Sequence, residues 1–181
     1  LSASDKTNLV SYWTLDEADG NGVVDKMDET LGSELITNGD LSNGTTGWYD
    51  DNNDTFEVVK GQLHAITSSL YWDGVRHQVT AGVTAGKVYK ITFDYRIVSG
   101  TNISLYVFTN DTGTSSGSDT SGSVSKTLTA TTMTTETRYW LCSATNTTAR
   151  ISFVNGSNAS REIYIDNLSV KEVGGNPGVL L

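Results

Sequence analysis

Apolar and polar residues alternate with a period of two through nearly every hydrophobic stretch of this chain, which commits it to half-buried β-strands. The run Lys87-Val88-Tyr89-Lys90-Ile91-Thr92-Phe93-Asp94-Tyr95-Arg96-Ile97 is the clearest case. Its odd positions are mostly apolar and its even ones mostly polar, so one face is buried and the other wet. Ile103, Leu105 and Val107 form a second inward row, with Ser104, Tyr106 and Phe108 on the opposite face. Further strands are predicted over 56–66, 75–80, 137–143, 149–154 and 162–171. No segment carries a helical stripe. Abundant Thr, Ser, Gly and Asn with a single proline suit twisted strands joined by polar loops. The expected fold is all-β: an antiparallel two-sheet β-sandwich.

A chain of 181 residues suits one domain with an extra piece, and such a body hides roughly 70% of its unfolded surface without staples. Cys142 is the single cysteine, so no intrachain disulfide forms. The formal charge of −9 denies the chain the basic face that a nucleic-acid binder needs, and it disfavours anionic membrane surfaces. No stretch approaches the ~20 apolar residues of a membrane helix, so membrane insertion is not expected. Neutral sugars and cations remain compatible. The opening Leu1-Ser2-Ala3-Ser4 carries no signal-peptide regions, and the chain reads as a piece of a longer polypeptide with other domains.

Two seams divide it. Residues 1–33 hold the apolar strand Leu9-Val10-Ser11-Tyr12-Trp13-Thr14-Leu15 and acidic turns; residues 34–173 form the main body. Residues 174–181, with Gly174-Gly175-Asn176-Pro177-Gly178, read as linker and tail. The longest irregular stretch, Asn110 to Ser125, is either a ligand-gripping loop or a plain hairpin connection.

Three motifs in order resemble family 4/9 carbohydrate-binding modules. Residues Glu34-Leu35-Ile36-Thr37-Asn38-Gly39-Asp40-Leu41-Ser42-Asn43-Gly44-Thr45-Thr46-Gly47-Trp48 look like their opening strand and turn. Gly86-Lys87-Val88-Tyr89-Lys90-Ile91-Thr92-Phe93 is similar to their central strand, and Ile163-Tyr164-Ile165-Asp166-Asn167-Leu168-Ser169-Val170 to their closing strand. The resemblance implies a galactose-binding-like jelly roll that binds a polysaccharide or oligosaccharide glycan without catalysis. Separately, Asn8 to Asp25 resembles the first strand of laminin-G or concanavalin-like lectin domains. Such fused beginnings occur in secreted adhesins and phage tail proteins, which points to an extracellular or virion-surface setting.

The family often carries a structural calcium joining first and last strands. The resemblance places that site at Asp40 and Ser42, at the turn Lys60-Gly61-Gln62, and at Asp166. Calcium takes six to eight oxygens and accepts carbonyls beside carboxylates. The family often has glutamate where Ser42 stands and phenylalanine where Leu41 stands, so charged ligands are fewer here. The alternative is that Asp40 caps a turn and Asp166 bonds neighbouring backbone. His64 and His77 lack the spacing of a zinc site.

Sugars present weakly apolar C–H faces rimmed by hydroxyls, so a site for them combines an exposed ring with planar polar groups. Trp72, in Tyr71-Trp72-Asp73-Gly74 ahead of the strand Val75-Arg76-His77-Gln78-Val79, is the leading candidate. Counted back from Gly86, it falls where glycan-binding members of the family carry a stacking tryptophan; the alternative is a core plug at a sheet edge. Tyr106 and Phe108 either floor a cleft or cover a second small core. Arg76, Asp94 and Arg96 supply directed hydrogen bonds, or else form ion pairs across strands on a wet face, and Gln78 is a further polar candidate. Trp13, Trp48 and Trp140 are assigned to packing. No paired catalytic carboxylates, Gly-x-Ser-x-Gly elbow, P-loop or His-Glu-x-x-His run occurs, so no enzyme is expected. The rival reading is a structural or adhesive spacer of a fibre.

Overall fold

The alternation closes into two antiparallel sheets laid face to face. The computed structural model describes residues 22–23, 30–100, 103–108, 125–174 and 178–179. The strands are β1 (Gly22–Val23), β2 (Thr30–Glu34), β3 (Trp48–Asp51), β4 (Asn53–Val59), β5 (Gln62–Thr67), β6 (Gly74–Val79) and β7 (Val88–Ser99). They continue with β8 (Ile103–Phe108), β9 (Ser125–Leu128), β10 (Thr134–Leu141), β11 (Ala149–Asn155), β12 (Glu162–Gly174) and β13 (Gly178–Val179). One sheet runs β10-β7-β12-β5-β4, with β2 also paired to β12; the other runs β3-β6-β11-β8-β9. β1 and β13 pair with each other. The lectin-like opening Asn8 to Asp25, apart from Gly22–Val23, lies outside the described residues, as do Trp13 and nearly all of the Asn110 to Ser125 loop.

The inner faces hold the core. Ile91, Phe93, Tyr95 and Ile97 of β7 meet Ile103, Leu105 and Val107 of β8, all buried. Phe93 packs edge-on against Phe153 of β11 at 4.9 Å between ring centroids, joining the two sheets. Trp140 and Trp48 are both sealed, and the Trp48 indole N–H donates to the Asn38 carbonyl at 3.2 Å. Cys142 is buried, its thiol directed at the Ala144 carbonyl. It serves as packing.

One strand expectation needs correcting. The stretch 56–66 is a hairpin, β4 and β5, because Lys60 (φ 52°) and Gly61 (φ 79°) take the paired left-handed conformations of a tight two-residue turn. At Gly39 the constraint is spatial. A Cβ there would lie 1.9 Å from the Leu168 carbonyl oxygen, and Leu168 N–H donates to Gly39 O at 3.0 Å. The opening turn is thereby laid directly on β12.

Candidate functional site: the outer face of the five-stranded sheet

Cross-strand partners in an antiparallel sheet point to the same face, so the register defines the surface residue by residue. On the outer face of β3-β6-β11-β8-β9, one row runs Gln78–Arg150–Phe108 and the next Tyr49–Arg76–Ser152–Tyr106. A third row runs Asp51–Gly74–Val154–Ser104. The face therefore carries arginines and hydroxyls along its middle and aromatic rings on β8.

The segment Ser68 to Asp73 enters β6 from one end and adds Tyr71 and Trp72 to those rings. Tyr71 meets Trp72 edge-on at 5.4 Å, Trp72 meets Tyr106 at 5.0 Å, and Tyr106 stacks beside Phe108 at 5.9 Å. Four rings thus form one unbroken wall. Between this wall and Asp51 opens a recess of about 230 Å³, lined by Trp72, Phe108, Arg150, Ser152 and Val154 among others. Trp72 was expected as a bare ring at a rim; it is instead half-buried, flanked on two sides by tyrosines, while Tyr71 is 49% exposed. It belongs to the recess and not to the core.

Polar groups complete the surface. Arg76 Nε stands 3.3 Å from Asp51 Oδ1, and the same guanidinium lies 5.1 Å over the Tyr49 ring. The Arg150 guanidinium sits 4.3 Å over the Phe108 ring, its side chain almost wholly covered. Burial, and secondarily Tyr71, push the Tyr106 hydroxyl above its ordinary pKa, so it remains a hydrogen-bond donor at neutral pH. Ser152 is 2% exposed, and its Oγ finds no hydrogen-bond partner among the described residues. A buried hydroxyl left in this state favours any ligand or water that can bond it.

Six residues singled out from the sequence meet here: Tyr71, Trp72, Arg76, Gln78, Tyr106 and Phe108. Asp94 and Arg96 do not. They project from the outer face of the six-stranded sheet, on the far side of the core. Arg96 covers the Tyr164 ring at 3.9 Å, and Asp94 accepts from Thr135 at 2.5 Å and from Asn167 at 2.8 Å. Alternation along β7 tells which side chains share a face; it does not tell which sheet receives the strand. Conversely Arg150, Ser152, Tyr49 and Asp51 were missed. The first two carry a signal in Ala149-Arg150-Ile151-Ser152-Phe153, where the polar positions oppose a buried row.

Of the residues expected around calcium, Gln62 and Asp166 stand on the six-stranded sheet, while Asp40 and Ser42 lie in the opening turn. Asp166 and Asp94 are direct cross-strand partners, and the Ile165↔Leu63 register brings Gln62 alongside Asp166. Burial first, then the charges of Asp94 and Asp40, hold the Asp166 carboxyl above the usual carboxylate range, against the Asn167 N–H that donates to it. Asp40, at the surface, accepts from both the amide and the hydroxyl of Ser42, which lower its pKa. Among the described residues no three or more Asp, Glu, His or Cys side chains stand in metal-holding geometry. The donors fit calcium in kind, all being oxygen, and carbonyls or water must supply the remainder.

Residues 33–160 match the family model described as "Carbohydrate binding domain". Among curated proteins, none matches the chain. Solved structures similar to it include a CBM4 module, at TM-score 0.60 and 15% identity over 73% of this chain and 99% of that one. Another is the CBM22-1 xylan-binding domain of Xyn10C from Paenibacillus barcinonensis, at TM-score 0.58 and 13% identity over 82% of this chain and 98% of that one. An arabinose-bound α-L-arabinofuranosidase matches at TM-score 0.60 and 14% identity, over 78% of this chain and 27% of that one. At these identities the likeness speaks for the fold.

Proposed function

This chain belongs to the carbohydrate-binding domain family that its residues 33–160 match, and on that premise we propose that it holds a glycan in the recess on its five-stranded sheet. The observation that carries the reading is the wall Tyr71–Trp72–Tyr106–Phe108, rings in mutual contact facing a floor of arginine and serine. Sugar C–H faces lie against the rings, while Arg150 and Ser152 in the recess, with Arg76 and Gln78 on the sheet face beside it, direct hydrogen bonds to hydroxyls. Xylan, the ligand named for one structural neighbour, is a first polymer to try. Binding is the whole task. The acids near the recess are occupied, Asp51 by Arg76 and Asp73 by the Ser68 hydroxyl, and among the residues lining it no further carboxylate stands opposite them as glycoside hydrolysis requires. We place the parent protein outside the cell or on a virion surface, where polymeric glycans are met.

Affinity electrophoresis in gels cast with soluble xylan, galactomannan or mixed-linkage β-glucan tests this. Retarded migration of the wild type, lost in Trp72→Ala, supports the reading. Absence of retardation on every polymer favours the spacer, and release of reducing ends from any of them contradicts the non-catalytic reading.

A second observation supports calcium. Like charges directly opposite on a sheet are unfavourable, and Asp94 and Asp166 hold that position with Asp40 adding to the field. We infer that Asp40, Ser42, Gln62 and Asp166, completed by carbonyls or water, would hold a calcium ion; when bound it supplies positive charge that relieves this repulsion and ties the opening turn to β12.

A further inference from the structure

The wall of the recess is held by one buried residue, through both its backbone and its side chain. Asn155, the last residue of β11, is fully enclosed, and its contacts run to the segments flanking the groove. Its backbone exchanges hydrogen bonds with the ring-bearing segment: Trp72 N–H donates to Asn155 O at 3.0 Å, and Asn155 N–H donates to Asp73 O at 2.7 Å. Its amide nitrogen reaches Ser68 O and Thr67 Oγ1, both at 3.2 Å, and Ala159 O at 2.7 Å. Its Oδ1 accepts from the amide and the hydroxyl of Ser157, at 3.0 and 3.2 Å. Thr67 Oγ1 also accepts from Arg161 N–H at 3.0 Å. Two loops, 67–73 and 155–161, thus meet at this amide, beside the direct bonds of Thr67 N–H to Arg161 O and of the Ser160 hydroxyl to Thr67 O, both at 2.8 Å.

This fastening matters because of what it holds. Trp72 sits at φ 75°, a left-handed conformation that bulky residues avoid and that persists only where the surroundings over-determine it. Neighbouring Leu70 is 62% exposed, so little apolar burial pins the segment there. The same strand, β11, carries Arg150 and Ser152 of the floor, so its terminal residue fixes the wall relative to the floor.

We infer that Asn155 is a positioning residue for glycan binding, acting through Trp72 and never touching the ligand. This rests on the reading of the recess as the glycan site. A wall already held in its bound geometry spares the ordering cost that a loose loop would meet on association. The ligand class that benefits most is a stiff, extended polysaccharide, since both surfaces are then fixed before they meet.

Two variants test it. Asn155→Asp keeps the shape but sets an acceptor against the Ser68 and Ala159 carbonyls; Thr67→Val removes the shared hydroxyl at nearly constant volume. Both are compared with wild type and Trp72→Ala by amide exchange of the 68–73 segment, thermal unfolding, and electrophoresis in xylan, galactomannan and mixed-linkage β-glucan gels. The expected result is a cooperative melt, exchange of 68–73 faster by about tenfold with the sheet strands unchanged, and affinity lower by about tenfold in Asn155→Asp and less in Thr67→Val. Folded variants with wild-type exchange and affinity overturn the inference, and Thr67→Val decides alone if Asn155→Asp fails to fold. Loss of binding in Trp72→Ala with full binding in both others overturns the positioning role only. Wild-type binding by Trp72→Ala, or no retardation of the wild type, removes the glycan reading and this inference with it.

Discussion

The two outer faces of the sandwich use the same kinds of residue to opposite ends. On the six-stranded sheet, Tyr164 is stacked by His64 at 4.4 Å and 15°, and covered on β7's side by the Arg96 guanidinium at 3.9 Å. His64 lies between Glu57 and Glu162, at 3.3 and 3.0 Å. Ring, cation and carboxylate are consumed by one another. On the five-stranded sheet, rings touch side by side along a wall, Tyr49 and Tyr71 remain exposed, and a recess opens at their foot. An aromatic residue near an arginine is therefore no mark of a sugar site. What separates the faces is whether the ring's neighbours leave room beside it.

The sharpest way to break this contrast is to remove one ring from each face. Trp72→Ala should cost about 2 kcal/mol of binding or more, a thirtyfold loss, as central aromatic anchors do. Tyr164→Ala should leave binding unchanged. It should instead lower stability by about 1 kcal/mol, the scale of an exposed cation–π contact plus some lost packing. Gel retardation and thermal melts of the two variants give the answer, and reduced retardation in Tyr164→Ala with a full melt would erase the distinction.

The degree to which the sequence disclosed this follows the physics. The alternation of β7 and β8 showed which residues are buried, whereas β11 is buried along its whole length, polar positions included. Tyr71, Trp72 and Phe108 line the recess and Arg76, Gln78 and Tyr106 share its sheet face; they were legible as one surface because Trp72 stands two residues before β6 and Tyr106 opposes a buried row. Asp94 and Arg96 were misplaced because sheet membership is a long-range property: β7 pairs with β10 and β12, and no local pattern encodes that. Arg150 went unnoticed because an arginine in a strand carries no mark of the ring it will cover.

A middle-sized effect concerns the charges on the six-stranded face. Since the folded protein holds the Asp166 carboxyl above its ordinary range, folding takes up protons there. The associated stabilisation is full below the unfolded carboxyl's pKa of about 3.9 and is lost as pH rises through the folded value. In chelator at neutral pH, Asp166→Asn should be more stable than wild type by about 0.5–1 kcal/mol, the scale of opposed like charges across a sheet. That margin should shrink as the pH is lowered toward 4 (the unfolded value given above). Millimolar calcium should raise the wild-type melting temperature and leave the variant nearly still. Equal calcium responses in the two would remove Asp166 from the ion's ligands; none in either would remove the ion.

The smallest effect returns to the recess and separates its floor from its wall. Ser152 Oγ is enclosed without a partner among the described residues, and an unpaired buried hydroxyl costs roughly 1 kcal/mol in a free protein. Ser152→Ala should therefore be as stable as wild type or more so by up to about 1 kcal/mol. With a glycan present the sign should reverse: the hydroxyl that cost stability gains a bond, and the variant should bind about threefold more weakly, the net worth of one neutral hydrogen bond. Thermal unfolding with and without polysaccharide reads both halves in one sample. A variant less stable than wild type when free would mean that Ser152 already has its partner, and the floor would then be packing that happens to lie beneath the wall.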